Sequence, residues 1–219
     1  MKSIAALILL ATTLSRAQDS EPAYPPNPSR EMTVVLFNQK DLAGWTFFPK
    51  DSTNPAPTWS VSHGVIHCTG TPFGYLRTTG VYSNYFLTVE WRFVKIAPKA
   101  DNSGILVHIQ PGDKLWPQCV QVQGKHTRQG DIFLMEGAEA KEHQGMDKNT
   151  PVPLRGESRE RPAGEWNKAE IICKNHKVTS FINGKLLNEV TECTINSGSI
   201  GIQSEGGELE IRSIAYSPL

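Results

Sequence analysis

The feature that most restricts this chain is a succession of short β-branched and aromatic runs, with no long stretch of 3.6-residue periodicity among them. The runs are Thr33–Phe37, Thr58–Val61, Gly64–Cys68, Gly74–Thr78, Tyr85–Val94, Gly104–Gln110, Cys119–Gln123, Asp131–Met135, Lys168–Lys174, Lys177–Asn183, Ser199–Gln203 and Glu208–Tyr216. Most are bounded by Gly, Pro, Asn or Asp, and 18 Gly with 15 Pro supply the turns that many short strands need. Two hairpins are marked: Asn175-His176 separates one pair of runs, and Asn183-Gly184, the preferred type I′ pair, turns the second run into Lys185–Val190. Without crossover helices such strands pair antiparallel and bury one apolar face by stacking two sheets. The expectation is an all-β sandwich of two antiparallel sheets.

The 219 residues suit one domain over 33–219, preceded by two segments of different character. Residues 1–17 (MKSIAALILLATTLSRA) join basic Lys2, an apolar run Ile4–Leu14 and small Ser15 and Ala17, the form of a secretory signal peptide. The run falls short of the ~20 residues a membrane span requires. The expected location is therefore secreted or periplasmic. Residues 18–32 form a Pro-rich polar leader. Lys+Arg and Asp+Glu both number 22, and loss of Lys2 and Arg16 with the signal segment leaves net −2. That balance argues against nucleic acid, which selects clustered basic residues. Cys68, Cys119, Cys173 and Cys193 permit three disulfide pairings or buried free thiols, and lack the spacing of a zinc site. Residues 136–165 are thirty residues of mixed charge with Pro and Gly and no strand signal, either a disordered loop or a wall beside a site.

Strand alternation separates core positions from candidates for chemistry. Leu87, Val89, Trp91 and Phe93 share one face, against Thr88, Glu90 and Arg92 on the other. Ile105, Val107 and Ile109 oppose Leu106, His108 and Gln110; Val120 and Val122 oppose Gln121 and Gln123; Ile200 and Ile202 oppose Gly201 and Gln203. If these strands are neighbours, Glu90, Arg92, His108, Gln121, Gln123 and Gln203 form one polar patch. Its planar amides and guanidinium suit the bidentate hydrogen bonding of sugar hydroxyls and carbonyls, and His108 suits proton transfer near neutrality. His63 and His67 make only a weak metal pair, and no HExxH, GxSxG or strand-borne GxGxxG is present. The carboxylate pair of an ordinary glycosidase has no evident bearer.

The ordered motifs LFNQKDLAGW (Leu36–Trp45), WSVSHGVIHCTG (Trp59–Gly70), GYLRT (Gly74–Thr78), YFLTVEWRF (Tyr85–Phe93) and NSGILVHI (Asn102–Ile109) carry a resemblance. So do WPQCVQVQ (Trp116–Gln123), GEWNKAEIIC (Gly164–Cys173), NGKLLNE (Asn183–Glu189) and SGSIGIQSEGGELEIRSI (Ser197–Ile214). Together they resemble the 3-keto-disaccharide hydrolase domain family, also described as 3-keto-glucoside-1,2-lyase/3-keto-2-hydroxy-glucal hydratase. The resemblance implies a concanavalin-like jelly roll that acts on glycosides or oligosaccharides oxidised at C3. For such chemistry the sequence offers His108 as base or acid, Arg92 as enediolate stabiliser and Glu90 orienting one of them. Substrate-binding roles fall to Asn102, Gln121, Gln123, Gln203 and Glu205. Gln121 stands where the family usually carries Glu, which keeps the hydrogen-bonding shape and removes an ionisable proton. No cofactor and no resident metal are implied, although a divalent cation could stabilise the enediolate. A non-catalytic carbohydrate-binding module on the same fold is the alternative.

Overall fold

Alternating apolar positions drive fifteen strands into two antiparallel sheets in a computed structural model that describes residues 32–48, 57–95, 102–112 and 114–219. The signal segment and all of the leader except Met32 lie outside the described residues. One sheet holds β1 (Val34–Val35), β3 (Trp59–Ser62), β4 (Val65–Cys68), β7 (Tyr85–Phe93), β11 (Asn167–Lys174), β12 (Lys177–Ile182), β13 (Lys185–Val190) and β15 (Leu209–Pro218). Its order is β13-β12-β11-β7-β15-β4-β3, with β1 paired to β15. The other holds β2 (Trp45–Phe48), β5 (Gly74–Thr78), β6 (Tyr82–Ser83), β8 (Gly104–Ile109), β9 (Cys119–Gln123), β10 (Ile132–Met135) and β14 (Ser197–Ser204). It runs β10-β9-β8-β14-β5-β2, with β6 paired to β14. The fold is thus the β-sandwich that the strand pattern implies. No helix among the described residues is long and apolar enough to cross a membrane.

The two sheets meet through the apolar sides of their strands. Leu87, Val89, Trp91 and Phe93 of β7 share one buried cluster with Val107, Val120, Val122, Ile200 and Ile202 of the facing sheet. The Asn183-Gly184 turn has φ of 50° and 81°, the left-handed pair that a type I′ hairpin requires. β2 is not visible as a strand in the sequence: Trp45–Phe48 lacks clean alternation, and β5 alone holds it at the sheet edge. The four cysteines, for which the sequence leaves pairing open, are all buried free thiols.

One irregularity decides which side chains reach the outer face of the seven-stranded sheet. Between β14 and β8 the register advances from Ser199↔Ile109 to Gly201↔Leu106, so β8 carries one extra residue. His108 absorbs it with φ of 56°. A Cβ at Gly198 would collide with the His108 backbone, so the bulge depends on glycine there. Beyond the bulge the alternation inverts, and Ile109 joins Leu106, Tyr75 and Cys119 in a small cluster separate from the main core.

The segment between β10 and β11 is fastened at several points. Val152 bridges to Ile132, the Glu142 carboxylate accepts from the Thr191 N–H and hydroxyl (both 2.7 Å), and Glu139 exchanges hydrogen bonds with Thr194. Buried Asn188 of β13 donates from Nδ2 to the carbonyls of Gly130, Val152 and Pro153 at 3.1, 2.9 and 3.2 Å. Replacing it strands buried acceptors, so Asn188→Ala is expected to cost about 1–3 kcal/mol in urea denaturation. Proteolysis within residues 136–160 should quicken in the same variant.

Candidate functional site

Outward side chains of β9, β10 and β14, with Asn102 before β8 and Glu205 after β14, floor a cleft of about 1000 Å³. Asn102, Gln121, Gln123, Gln203 and Glu205 all line it, brought together from the segment just before β8, from β9, and from the end of β14 and the residue that follows it. Their placement follows from pairing: Gly104 lies opposite Gln123, Leu106 opposite Gln121, and Gln203 opposite Tyr75 of β5. Gly104 is needed for space, because a Cβ there would sit 2.7 Å from Gln121 Nε2 and 2.9 Å from its Cγ. β10 continues the same sheet face, with Phe133 paired to Gln121 and Met135 to Cys119, and residues 136–149, including His143 and Met146, form the wall above it, with Trp116 also lining the cleft.

The three glutamines form an oriented relay. The backbone N–H groups of Gly124 and Lys125 donate to Gln123 Oε1 at 2.9 and 3.1 Å, which fixes the direction of that amide. Gln121 Nε2 then donates to Gln123 Oε1 at 3.3 Å and to Gln203 Oε1 at 3.2 Å. The relay leaves Gln123 Nε2, Gln203 Nε2 and Gln121 Oε1 outside its own bonds, which are two donors and one acceptor for a ligand. All three side chains are largely buried, so their orientation is set before any ligand arrives.

Glu205 is the ionisable group beside this floor. Its Oε2 accepts from Asn102 Nδ2 at 2.6 Å. Burial pushes its carboxyl above the ordinary value, against smaller opposing effects from Lys125 and the Asn102 hydrogen bond. A half-buried carboxyl held partly toward its neutral form, in a cleft, is a candidate for proton transfer. The other cleft-lining carboxylates, Glu136, Glu139 and Glu192, are exposed on the rim. His143 also lines the cleft, and its Nε2 lies 2.8 Å from the Thr150 carbonyl. A carbonyl can only accept, so Nε2 carries the proton and the ring is held in one orientation. Sequence reasoning passed over His143; the available signal was a histidine inside a long segment that a compact domain tolerates beside a site.

The sequence-based patch of six residues does not assemble. Glu90 and Arg92 belong to β7, which pairs with β11 and β15 in the other sheet, and their side chains turn away from the core on the far outer face. There Glu90 accepts from Arg212 at 2.6 Å, while Arg92 contacts Glu210 at 2.7 and 2.6 Å. Both guanidiniums lie over the Trp166 ring, at 4.4 and 4.6 Å from its centroid. This is a clasp between strands, not a group facing the cleft. His108 is also displaced, because the bulge turns its ring inward to an edge contact with Tyr85, 5.8 Å between centroids. It is 2% exposed, and burial lowers its pKa to about 4 against a smaller effect of the Ile195 backbone. His108 therefore neither lines the cleft nor sits beside Arg92. His67 is engaged by Ser62 and Glu210, and no cluster of three or more His, Cys, Asp or Glu among the described residues could hold a metal ion.

By sequence, residues 32–216 match the family described as 3-keto-alpha-glucoside-1,2-lyase-like domain. No curated protein matches the chain. Among solved structures, two proposed glycosyl hydrolases from Parabacteroides distasonis ATCC 8503 are similar. One has a TM-score of 0.65 at 22% identity and covers 86% of this chain and 94% of its own. The second has a TM-score of 0.62 at 19% identity, covering 85% and 99%. The carbohydrate-binding module CBM66 from Bacillus subtilis gives 0.57 at 9% identity, covering 80% and 95%. At these identities the likeness concerns the fold.

Two outcomes follow from the geometry. His108 is neutral in the folded chain down to about pH 4, whereas the unfolded chain protonates it near 6.5, so stability falls as pH drops through that window. His108→Leu should remove about 3 kcal/mol of that loss between pH 7 and 4, measured by urea denaturation at each pH. In Gln121→Glu a carboxylate replaces a donor that faces the Gln123 oxygen fixed by Gly124 and Lys125. That variant should be about 1–3 kcal/mol less stable than the parent at pH 8 and recover toward pH 5, as the new carboxyl takes a proton.

Proposed function

The chain belongs to the 3-keto-alpha-glucoside-1,2-lyase-like domain family, and from that premise we propose that it is an exported enzyme cleaving 3-keto-glycosides by β-elimination. The observation that carries this reading is Glu205: a partly buried carboxyl with a raised pKa, seated beside a floor of oriented amides. Export rests on the signal-like pattern of residues 1–17.

The chemistry asks little of the protein beyond one well-placed base and fixed hydrogen-bond donors. A ketone at C3 acidifies the C2 proton. Glu205 in its charged form takes that proton, the C2–H electron pair becomes the C1–C2 double bond, and the C1–oxygen bond breaks. The departing oxygen takes up a proton and leaves as an alcohol, so no water, oxidant or reductant is consumed. Negative charge that gathers on the C3 oxygen is met by amide N–H groups, for which Gln123 and Gln203 Nε2 are the free donors of the relay. His143, oriented by Thr150 on the facing wall, is the ionisable group positioned to protonate the leaving oxygen. A base with a raised pKa exchanges protons with a weak carbon acid more effectively than an ordinary carboxylate does.

A sugar-binding role without turnover is the second reading. It is favoured by the relay itself, because Gln121, Gln123 and Gln203 are all non-ionisable. Incubation with a 3-keto-glucoside and with its unoxidised parent separates the cases. Release of the aglycone from the keto sugar alone is the expected result. Binding without release would support the second reading, and cleavage of the parent would point to ordinary glycoside hydrolysis. Glu205→Gln should lower kcat on the keto sugar by about 10²–10⁴-fold with little change in Kd. The parent rate should climb as pH rises through the raised Glu205 pKa, a limb that the variant lacks. The raised pKa stabilises the fold below the ordinary carboxyl range and is lost as pH rises, so at neutral pH Glu205→Gln should melt no lower than the parent.

A further inference from the structure

The cleft is divided by chemistry. Its amides and carboxyl come from β9, from β14 and from Asn102 and Glu205 beside them. Beside the amides on the same face, β10 brings Phe133, paired to Gln121, and Met135, and the apolar lining continues through Trp116 and Met146. Residues 136–149 add the polar His143, Gln144 and Asn149, and their charged side chains Glu136, Glu139 and Lys148 are exposed at the rim. The apolar wall is also built in advance. Ala138 and Ala140 are buried, and the Lys141 N–H donates to Thr191 O at 2.9 Å while Thr194 N–H donates to Glu139 O at 3.0 Å. A cleft of about 1000 Å³ is at the upper end of what drug-sized ligands occupy, so a single pyranose ring leaves much of it unfilled.

We propose that this wall is an aglycone subsite, and that the chain selects 3-keto-glycosides whose leaving group is a flat apolar alcohol over those whose leaving group is a second sugar. The inference rests on the β-elimination reading for turnover, though not for binding. With the keto-sugar ring on the amides, a C1 substituent directed along the sheet toward β10 meets Phe133 and Met135, with Met146 and Trp116 beside them. A second sugar there would lay hydroxyls against methionine, phenylalanine and tryptophan side chains and lose hydrogen bonds to water without replacement. A benzyl or similar group loses none and buries its ring. Thioethers pack well against aromatic edges and adjust to different shapes, so Met135 and Met146 suit a range of apolar aglycones. Met135 is itself seated on the sheet, its Sδ 3.7 Å from Cys119 Sγ.

The test uses the whole chain and two 3-keto-glucosides whose leaving alcohols are of similar basicity, one benzyl and one glucosyl, so that bond-breaking contributes equally. The benzyl substrate should show a KM at least 10-fold lower. Met146→Ala should raise the benzyl KM about 5-fold or more and change the glucosyl KM less than 2-fold, with Trp116→Ala as a second variant. Equal KM values, or equal effects of Met146→Ala on both, would overturn the subsite while leaving elimination intact. Calorimetric binding of unreactive benzyl glucoside covers the case in which neither keto sugar turns over. Tighter binding than for cellobiose, weakened by Met146→Ala, supports the subsite even as the elimination reading fails. Equal binding of the two rejects it.

Discussion

The inward packing of β8, β9 and β14 against β7 governs what the cleft can contain. Val107, Val120, Val122 and Ile202 are locked in the inter-sheet core, and in a strand each locked residue sends its neighbours to the opposite face. Gln121, Gln123 and Gln203 therefore cannot leave the outer face without pulling a valine or isoleucine out of the core. A one-residue slip would move every side chain of the strand across the sheet. The orientation of the amides has a separate origin in the backbone after β9. Two N–H groups, of Gly124 and Lys125, hold Gln123 Oε1, and that single anchoring passes through Gln121 to Gln203. Core packing sets position, and the relay sets polarity.

Residues 136–149 turn an open sheet face into a cleft, and they do so at modest cost because the edge of the fold already offers partners. Backbone groups of Lys141 and Glu139 bond the segment after β13, Glu142 caps Thr191, and Asn188 gathers three carbonyls near the loop return. A long segment fastened this way loses its freedom during folding, so little remains to be lost when a ligand enters. The same fastening places His143 and Met146 on a wall opposite Glu205. The two sides of the cleft therefore derive their rigidity from different sources, strand pairing below and side-chain tethers above.

Alternation within a strand was readable from the residues alone, and it identified the three floor glutamines and the core side of β7, whereas Asn102 and Glu205, outside the strands, were reached only beside the family motifs. Which strands are neighbours was not readable, since pairing partners far apart in sequence leave no local mark. Glu90 and Arg92 consequently looked like companions of Gln121, although β7 lies in the other sheet and its polar side is occupied by Arg212, Glu210 and Trp166. His108 misled for a different reason. Its strand obeys a period of two until the extra residue at the bulge, and no residue type near it announces a positive φ. The signature lies in the partner strand, where Gly198 makes room for the displaced backbone. His143 was obscured because a segment without periodicity gives no basis for assigning a face.

Removing His108, Glu90 and Arg92 from the site simplifies the chemical problem. A glycosidase that passes through an oxocarbenium ion needs two carboxyl groups at a defined separation across the sugar. An elimination next to a ketone needs one base, because the carbonyl itself takes up the charge released from carbon. The floor matches the smaller requirement: one half-buried carboxyl, Glu205, amid neutral amides that hydrogen-bond without adding charge. Gln121 fits the same logic. A carboxylate at that position would face the Oε1 atom of Gln123, which cannot reverse without losing the Gly124 and Lys125 bonds, and it would raise the proton affinity of a neighbouring acid by repulsion. An amide there keeps the floor neutral, and leaves Glu205 as its one ionisable group.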